Sequence, residues 1–217
     1  MLKGVIFDMD GVIVDSHPTH IRAWRRVLAA FGVTPTDEEL EIVRDGKKKE
    51  EILRHFDGDL TDDQIHAYAQ EKDRLFREES PGVTMIGGVE KLLDELNRAA
   101  IPVAVASSGS SWRVQQTLDL FHLRSHFSVV LTGDELTVGK TDSTIFRKAA
   151  EELGVRSEES LVFEDSISGV RSATAIGMKC LGIGNAFRAK LLLEAGAERV
   201  YSDFVDTPLS HLQTLFA

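Results

Sequence analysis

Two aspartates separated by one residue, Asp8 and Asp10, stand where the apolar run Leu2-Lys3-Gly4-Val5-Ile6-Phe7 gives out. Residues two apart in an extended segment project to the same side, so the two carboxylates share a face while Met9 turns into the core. One can attack phosphorus as a nucleophile. The other can move a proton on the attacking or leaving oxygen, and the short backbone between them leaves little positioning entropy to lose. Three further apolar runs end in polar clusters: Ser107-Ser108-Gly109-Ser110, Thr132-Gly133-Asp134 and Glu164-Asp165-Ser166. Lys140 precedes the helix that feeds the last of these runs. Four carboxylates crowded together (Asp8, Asp10, Glu164, Asp165) raise one another's pKa and oppose folding unless cations offset them. Lys140 offsets one charge. A hard divalent ion such as Mg²⁺, which takes oxygen ligands and keeps several waters, offsets two more. Ser107 and the N–H groups that follow it, near a helix start, suit phosphate oxygens. Together these residues describe a metal-assisted phosphoryl-transfer site.

Such a site needs a scaffold that brings distant segments to one edge. Strand-like runs over residues 2–7, 101–107, 127–132, 161–163, 179–183 and 200–201 alternate with helical patterns over 89–96, 143–153, 166–176 and 188–195. That alternation indicates a parallel sheet covered on both faces, whose ligands bind beyond the carboxyl ends of the strands. The first strand lacks a crossover helix of its own. Residues 17 to about 79 read as helical throughout: Ile21, Trp24, Leu28 and Phe31 recur at helical spacing, and Ile52, Leu53 and Phe56 share a face. Thr36 with Glu39, and Thr61 with Gln64, match the capping box of a helix start. The expected fold is therefore α/β, a Rossmann-like parallel-sheet core over residues 1–15 and 83–217, with an all-helical cap, 16–82, inserted after strand one.

Composition narrows the class. The 217 residues, 42% hydrophobic and 28% charged, sit at globular values and exclude disordered, collagenous and coiled-coil chains. A net charge of −10 repels nucleic acid and anionic lipid from most of the surface. No apolar run approaches the ~20 residues of a membrane span, and an acid at position 8 comes too early for a signal peptide. The single cysteine, Cys180, excludes an internal disulfide and fits a reducing compartment. The expectation is a cytoplasmic protein acting on a small phosphorylated metabolite, with no nucleic acid, membrane or protein partner implied.

Asp8-Met9-Asp10-Gly11-Val12-Ile13-Val14-Asp15-Ser16 resembles the first signature of the haloacid dehalogenase superfamily in its phosphatase form. Ser107, Lys140 and Glu164-Asp165 resemble its second, third and fourth signatures, in order. The resemblance implies a phospho-aspartate at Asp8, an acid/base at Asp10, a charge clamp at Lys140 and phosphate binding by Ser107, Ser108 and Gly109. It also implies Mg²⁺ held by Asp8, Asp165 and the main-chain carbonyl of Asp10, with Glu164 assisting. The second aspartate argues against a true dehalogenase. His20-Ile21-Arg22-Ala23-Trp24 resembles the first cap helix of β-phosphoglucomutase and its sugar-phosphatase relatives. Gly46 and Lys49 fall where that group has a substrate-specificity loop, and Lys72 matches another cap lysine. Two departures stand out. Lys140 is followed by Thr141-Asp142 rather than proline. The mutase's lysine after the second-signature serine is also absent from Ser108-Gly109-Ser110-Ser111. The reading is a Mg²⁺-dependent phosphomonoester phosphatase, with a phosphosugar mutase as the alternative enzyme and a receiver-like phospho-aspartate switch as the non-enzymatic one.

Overall fold

The computed structural model describes residues 1–135 and 143–216. Its chain runs β1 (Gly4–Phe7), β2 (Val14–Asp15), α1 (His17–Ala30), α2 (Lys49–Phe56), α3 (Asp62–Glu79), β3 (Thr84–Met85), α4 (Val89–Arg98), β4 (Val103–Ala106) and α5 (Ser111–Leu120). There follow β5 (Val129–Leu131), α6 (Thr144–Leu153), β6 (Ser160–Glu164), α7 (Ile167–Thr174), β7 (Lys179–Ile183), α8 (Ala186–Ala195), β8 (Arg199–Tyr201) and α9 (Leu209–Thr214). Six strands form one sheet in the order β5-β4-β1-β6-β7-β8, every pair parallel.

The strand order explains where a ligand can sit. The chain leaves β1 to build outward through β4 and β5 on one side and through β6, β7 and β8 on the other. Crossovers diverge at such a switch point and leave a crevice at the carboxyl ends of the central strands. Strands β1 and β4 are buried at every residue, which is why they read as unbroken apolar runs rather than alternating ones. Val5 and Phe7 face one core with the leucines of α4, while Ile6 faces the other with Phe146 of α6 and Val170 of α7.

Helices α1, α2 and α3 pack around a third apolar cluster containing Trp24, Leu28, Leu53 and Phe76. The Thr61 box closes as expected: Gln64 N–H donates to Thr61 Oγ1, and Thr61 N–H donates to Gln64 Oε1 at 2.9 Å. The Thr36 box also forms, with Thr36 N–H donating to Glu39 at 2.8 Å, yet it precedes a 3₁₀ turn, Glu39–Arg44, instead of an α-helix. The short antiparallel pair β2–β3 joins the two ends of this helical segment to the sheet-bearing part. Two-residue strands carry no periodicity, so the sequence pattern does not announce them. No helix among the described residues is long and apolar enough to cross a membrane.

Candidate active site

Asp8 follows β1 directly, and its N–H donates to the Phe163 carbonyl of β6 at 2.9 Å, so the neighbouring strand fixes the residue. The chain then turns sharply. The Met9 carbonyl accepts from Ile13 and Val14 N–H at 2.9 and 3.0 Å, and Met9 is fully buried as its spacing predicts. Gly11 takes φ +78°, and a Cβ there would lie 2.5 Å from both Asp165 Oδ2 and His17 Nε2. The position is thus closed to side chains by conformation and by space. Gly11→Ala is expected to cost more than about 1 kcal/mol of stability and to weaken Mg²⁺ binding, as checked by chemical denaturation and calorimetric metal titration.

Asp8, Glu164 and Asp165, all buried, place carboxylate oxygens within 4.8 Å of one another. An all-oxygen, all-anionic set of this kind fits a hard divalent cation, and the charges oppose one another without it. Glu164 also has a structural task. Its Oε1 accepts from Asp165 N–H, Ser166 N–H and Ser166 Oγ at 3.2, 3.1 and 2.8 Å, which braces the turn into α7. Gly169 lets that carboxylate approach, since a Cβ there would sit 2.4 Å from Glu164 Oε2. His17 holds Asp165 from the other side, Nε2 to Oδ2 at 2.6 Å.

The Asp10 carboxylate lies apart from that cluster in a cage of donors. Arg113 of α5 donates through NH1 to Oδ1 at 2.7 Å and through NH2 to Oδ2 at 2.6 Å. Ser16 Oγ donates to Oδ1 at 2.5 Å, and His20 Nε2 lies 3.4 Å away. Burial alone would raise this carboxyl, but the Arg113 charge and the His20 hydrogen bond hold it well below its ordinary range. Behind His20 stands Lys72, whose Nζ is 2.7 Å from His20 Nδ1. Burial first, and then the Lys72 charge, push His20 down to about 3, so its ring is neutral and can donate from Nε2 while accepting at Nδ1.

Burial, followed by the Arg113 charge, lowers Lys72 to about 7. A lysine depressed in the folded state binds fewer protons than in the unfolded state between its two pKa values, so stability rises with pH across that window. The wild type is therefore expected to gain stability from pH 7 to pH 10 relative to Lys72→Met, as measured by urea denaturation of both.

Asp8, Asp10, Asp165, His17, His20, Lys72 and Arg113 open on one cavity of about 240 Å³ between the sheet edge and the helical segment, whereas Glu164 is fully buried and is not among its lining residues. Of the residues singled out from sequence, Asp8, Asp10, Asp165, Ser108, Gly109, His20, Gly46, Lys49 and Lys72 line it. Lys49 forms an ion pair with Asp73 at 2.5 Å, and Ser108 Oγ donates to the Gly46 carbonyl at 3.3 Å, joining the two halves of the wall. Ser107 is fully buried and is not among the lining residues; its Oγ accepts from Gly109 N–H at 3.1 Å and shapes the turn that presents Ser108 and Gly109. Lys140 lies outside the described residues.

Arg113 and His17 escaped the sequence reading. An arginine on the inward side of α5, beside the buried Val114 and Leu118, was the available signal. Charged residues are seldom buried unless paired, so an inward arginine implies a carboxylate across from it.

Comparison with known proteins places the chain. Residues 5–183 match the family model for haloacid dehalogenase-like hydrolases. A phosphorylated carbohydrates phosphatase from Thermotoga maritima is 32% identical over 213 residues, covering 90% of this chain and 92% of that protein. Hexitol phosphatase A from Escherichia coli is 32% identical over 181 residues, covering 83% and 82%. The crystal structure of β-phosphoglucomutase from Clostridium difficile superposes with a TM-score of 0.87 at 22% identity, over 99% of this chain and 96% of that one, and shows the same fold. A match that runs from β1 to β7, with the acidic cluster at the carboxyl ends of β1 and β6, makes this chain a member of the haloacid dehalogenase-like hydrolase family.

Proposed function

We propose that the protein hydrolyses the phosphomonoester of a small phosphorylated metabolite, a sugar phosphate, through an aspartyl phosphate on Asp8. The observation that carries this reading is the separation of the two aspartates' environments. Asp8 sits with Glu164 and Asp165, whereas Asp10 is held by Arg113, Ser16 and His20 on the same cavity. Named phosphatase relatives agree with it.

In this reading Asp8, Asp165 and the Asp10 main-chain carbonyl hold Mg²⁺, with Glu164 orienting the cluster. The ion supplies charge neutralisation for the transferring phosphoryl group. Asp8 Oδ attacks phosphorus, and Asp10, which takes up a proton once bound substrate loosens its contact with Arg113, delivers that proton to the departing sugar oxygen. Asp10 then takes a proton from the water that attacks the aspartyl phosphate, which regenerates Asp8 and releases phosphate. Ser107, Ser108 and Gly109 form the phosphate-binding turn: the Ser108 N–H, with Lys140, receives phosphoryl oxygens, while the Gly109 N–H holds Ser107 Oγ and fixes the turn. The helical segment, 16–82, acts as a cap on the core, 1–15 and 83–217. It chooses the substrate through His20, Gly46, Lys49 and Lys72 and excludes bulk water. The reaction belongs in the cytoplasm.

Hydrolysis is preferred to mutase chemistry because Arg113, the cation that α5 does supply, is engaged on Asp10 instead of standing free for a second phosphate. The test is a phosphate-release screen over sugar phosphates and other small esters with Mg²⁺. A separate assay follows isomerisation of β-glucose 1-phosphate with a bisphosphate primer. Release that requires the metal and stops on chelation supports the phosphatase; primer-dependent isomerisation without free phosphate would establish the mutase instead.

A further inference from the structure

Arg188 lies in the first turn of α8, where its N–H donates to the side chain of the N-cap Asn185 at 3.1 Å. The residue is 6% exposed, so its guanidinium needs partners within the protein. It finds them in two directions. NH2 donates to the main-chain carbonyl of Asp165 at 2.9 Å, and NH1 donates to Glu41 Oε2 at 3.0 Å. Asp165 belongs to the acidic cluster. Glu41 belongs to the 3₁₀ turn of the helical segment, 147 positions away from Arg188 in the chain. The phosphoryl-transfer steps make no use of this arginine.

The same turn reaches the loop after β6 a second time, through its C-cap residue Asp45. Ser168, in the first turn of α7, donates its N–H to Asp45 Oδ1 at 3.3 Å and its hydroxyl to the Asp45 carbonyl. Arg44 Nε, 3.6 Å from Glu41 Oε1, steadies the Glu41 carboxylate from within the turn. His17 holds the Asp165 carboxylate, so Arg188 and His17 between them fix the main chain and the side chain of one residue.

We propose that Arg188 is a positioning residue that couples the seating of the helical segment to the metal-binding geometry of Asp165. The proposal rests on the reading that Asp165 holds Mg²⁺. With Glu41 in place, the guanidinium is neutralised where it is buried and anchors the Asp165 main chain. When the helical segment lifts away, the guanidinium loses its counter-charge, turns to water and releases that carbonyl. The closed form therefore binds Mg²⁺ more tightly, and by linkage the metal-loaded protein favours closure. Partners that orient a metal ligand from behind contribute about 10- to 100-fold to affinity.

Calorimetric titration of the full chain with Mg²⁺, without substrate, tests the coupling, because charge and position predict opposite signs. Arg188→Met removes a cation beside the acidic cluster, which by charge alone would tighten Mg²⁺ binding. Loss of positioning should instead weaken it about tenfold or more. Arg188→Lys keeps the charge but lacks the planar fork that spans both acceptors, and it should weaken binding as well. Glu41→Gln, at a side chain 44% exposed, should weaken binding about fivefold or more in the wild-type background and not at all in the Arg188→Met background. Asp165→Asn is the reference. Unchanged or tighter binding in the arginine variants, or a Glu41→Gln effect that persists without Arg188, overturns the proposal; a weakened Asp165→Asn in the same series leaves the metal reading standing. Wild-type affinity in Asp165→Asn overturns both. If Arg188→Met does not fold, Arg188→Lys and the Glu41→Gln effect in that background decide the matter.

Discussion

Asp8→Asn is expected to lower kcat for phosphate release by about 10⁴-fold or more, because in the proposed reaction it removes the attacking oxygen rather than a group that assists it. Asparagine matches the shape of aspartate, and the anchor that places the residue is its own N–H on the Phe163 carbonyl, which the substitution leaves in place. The variant should therefore fold normally. Single-turnover kinetics and thermal denaturation in the presence of chelator check the two halves. A variant that retains turnover within tenfold of the wild type would remove Asp8 from the role of nucleophile. A variant that loses both stability and activity would leave only a structural role for it.

The acidic strand ends are legible in the sequence because each needs only local chemistry. Asp8 and Asp10 follow a buried apolar run, and so does Glu164-Asp165. The parallel sheet then brings such ends to one edge whatever the loops do between them. What the sequence hides is pairing over long separations. His17 meets Asp165 across 148 positions and Arg113 meets Asp10 across 103, and neither partner's neighbours announce the other. Ser107 shows a subtler gap. Its position at the end of β4 is readable, yet the direction of its hydroxyl depends on the turn at Gly109, which accommodates no side chain: a Cβ there would lie 2.0 Å from Arg113 NH2. The Thr36 box marks a helical start correctly but cannot say that the turn stays 3₁₀, since the same side-chain bonds serve either.

Arg113→Met should be the most damaging substitution outside the carboxylates, lowering stability by about 3 kcal/mol and kcat by about 10²-fold. Its guanidinium is buried over Phe76, 5.4 Å from the ring centroid, and makes both its charged hydrogen bonds to Asp10. Removing it leaves the carboxylate with Ser16 and a neutral His20, too little to offset the loss of solvation. Asp10→Asn alone should cost about 10²- to 10⁴-fold in kcat and leaves the opposite charge unpaired. The double variant separates the two effects. With both charges gone it should recover much of the lost stability while recovering no activity, a coupling that a thermodynamic cycle reads directly. Simple addition of the two losses would mean that the pair does not interact as the geometry implies. The pH dependence supplies an independent check with a definite sign. Asp10 is depressed below its ordinary value of 3.8, so its contribution is present above that value and fades as pH falls through the folded-state pKa. The stability gap between wild type and the Asp10→Asn variant should therefore be constant from pH 7 to pH 5 and should close only in more acid solution. Because the same arginine both fixes the orientation of Asp10 and keeps it ionised, the proposed role of Asp10 as a proton donor requires that contact to loosen when substrate binds, which frees the carboxyl to take up a proton.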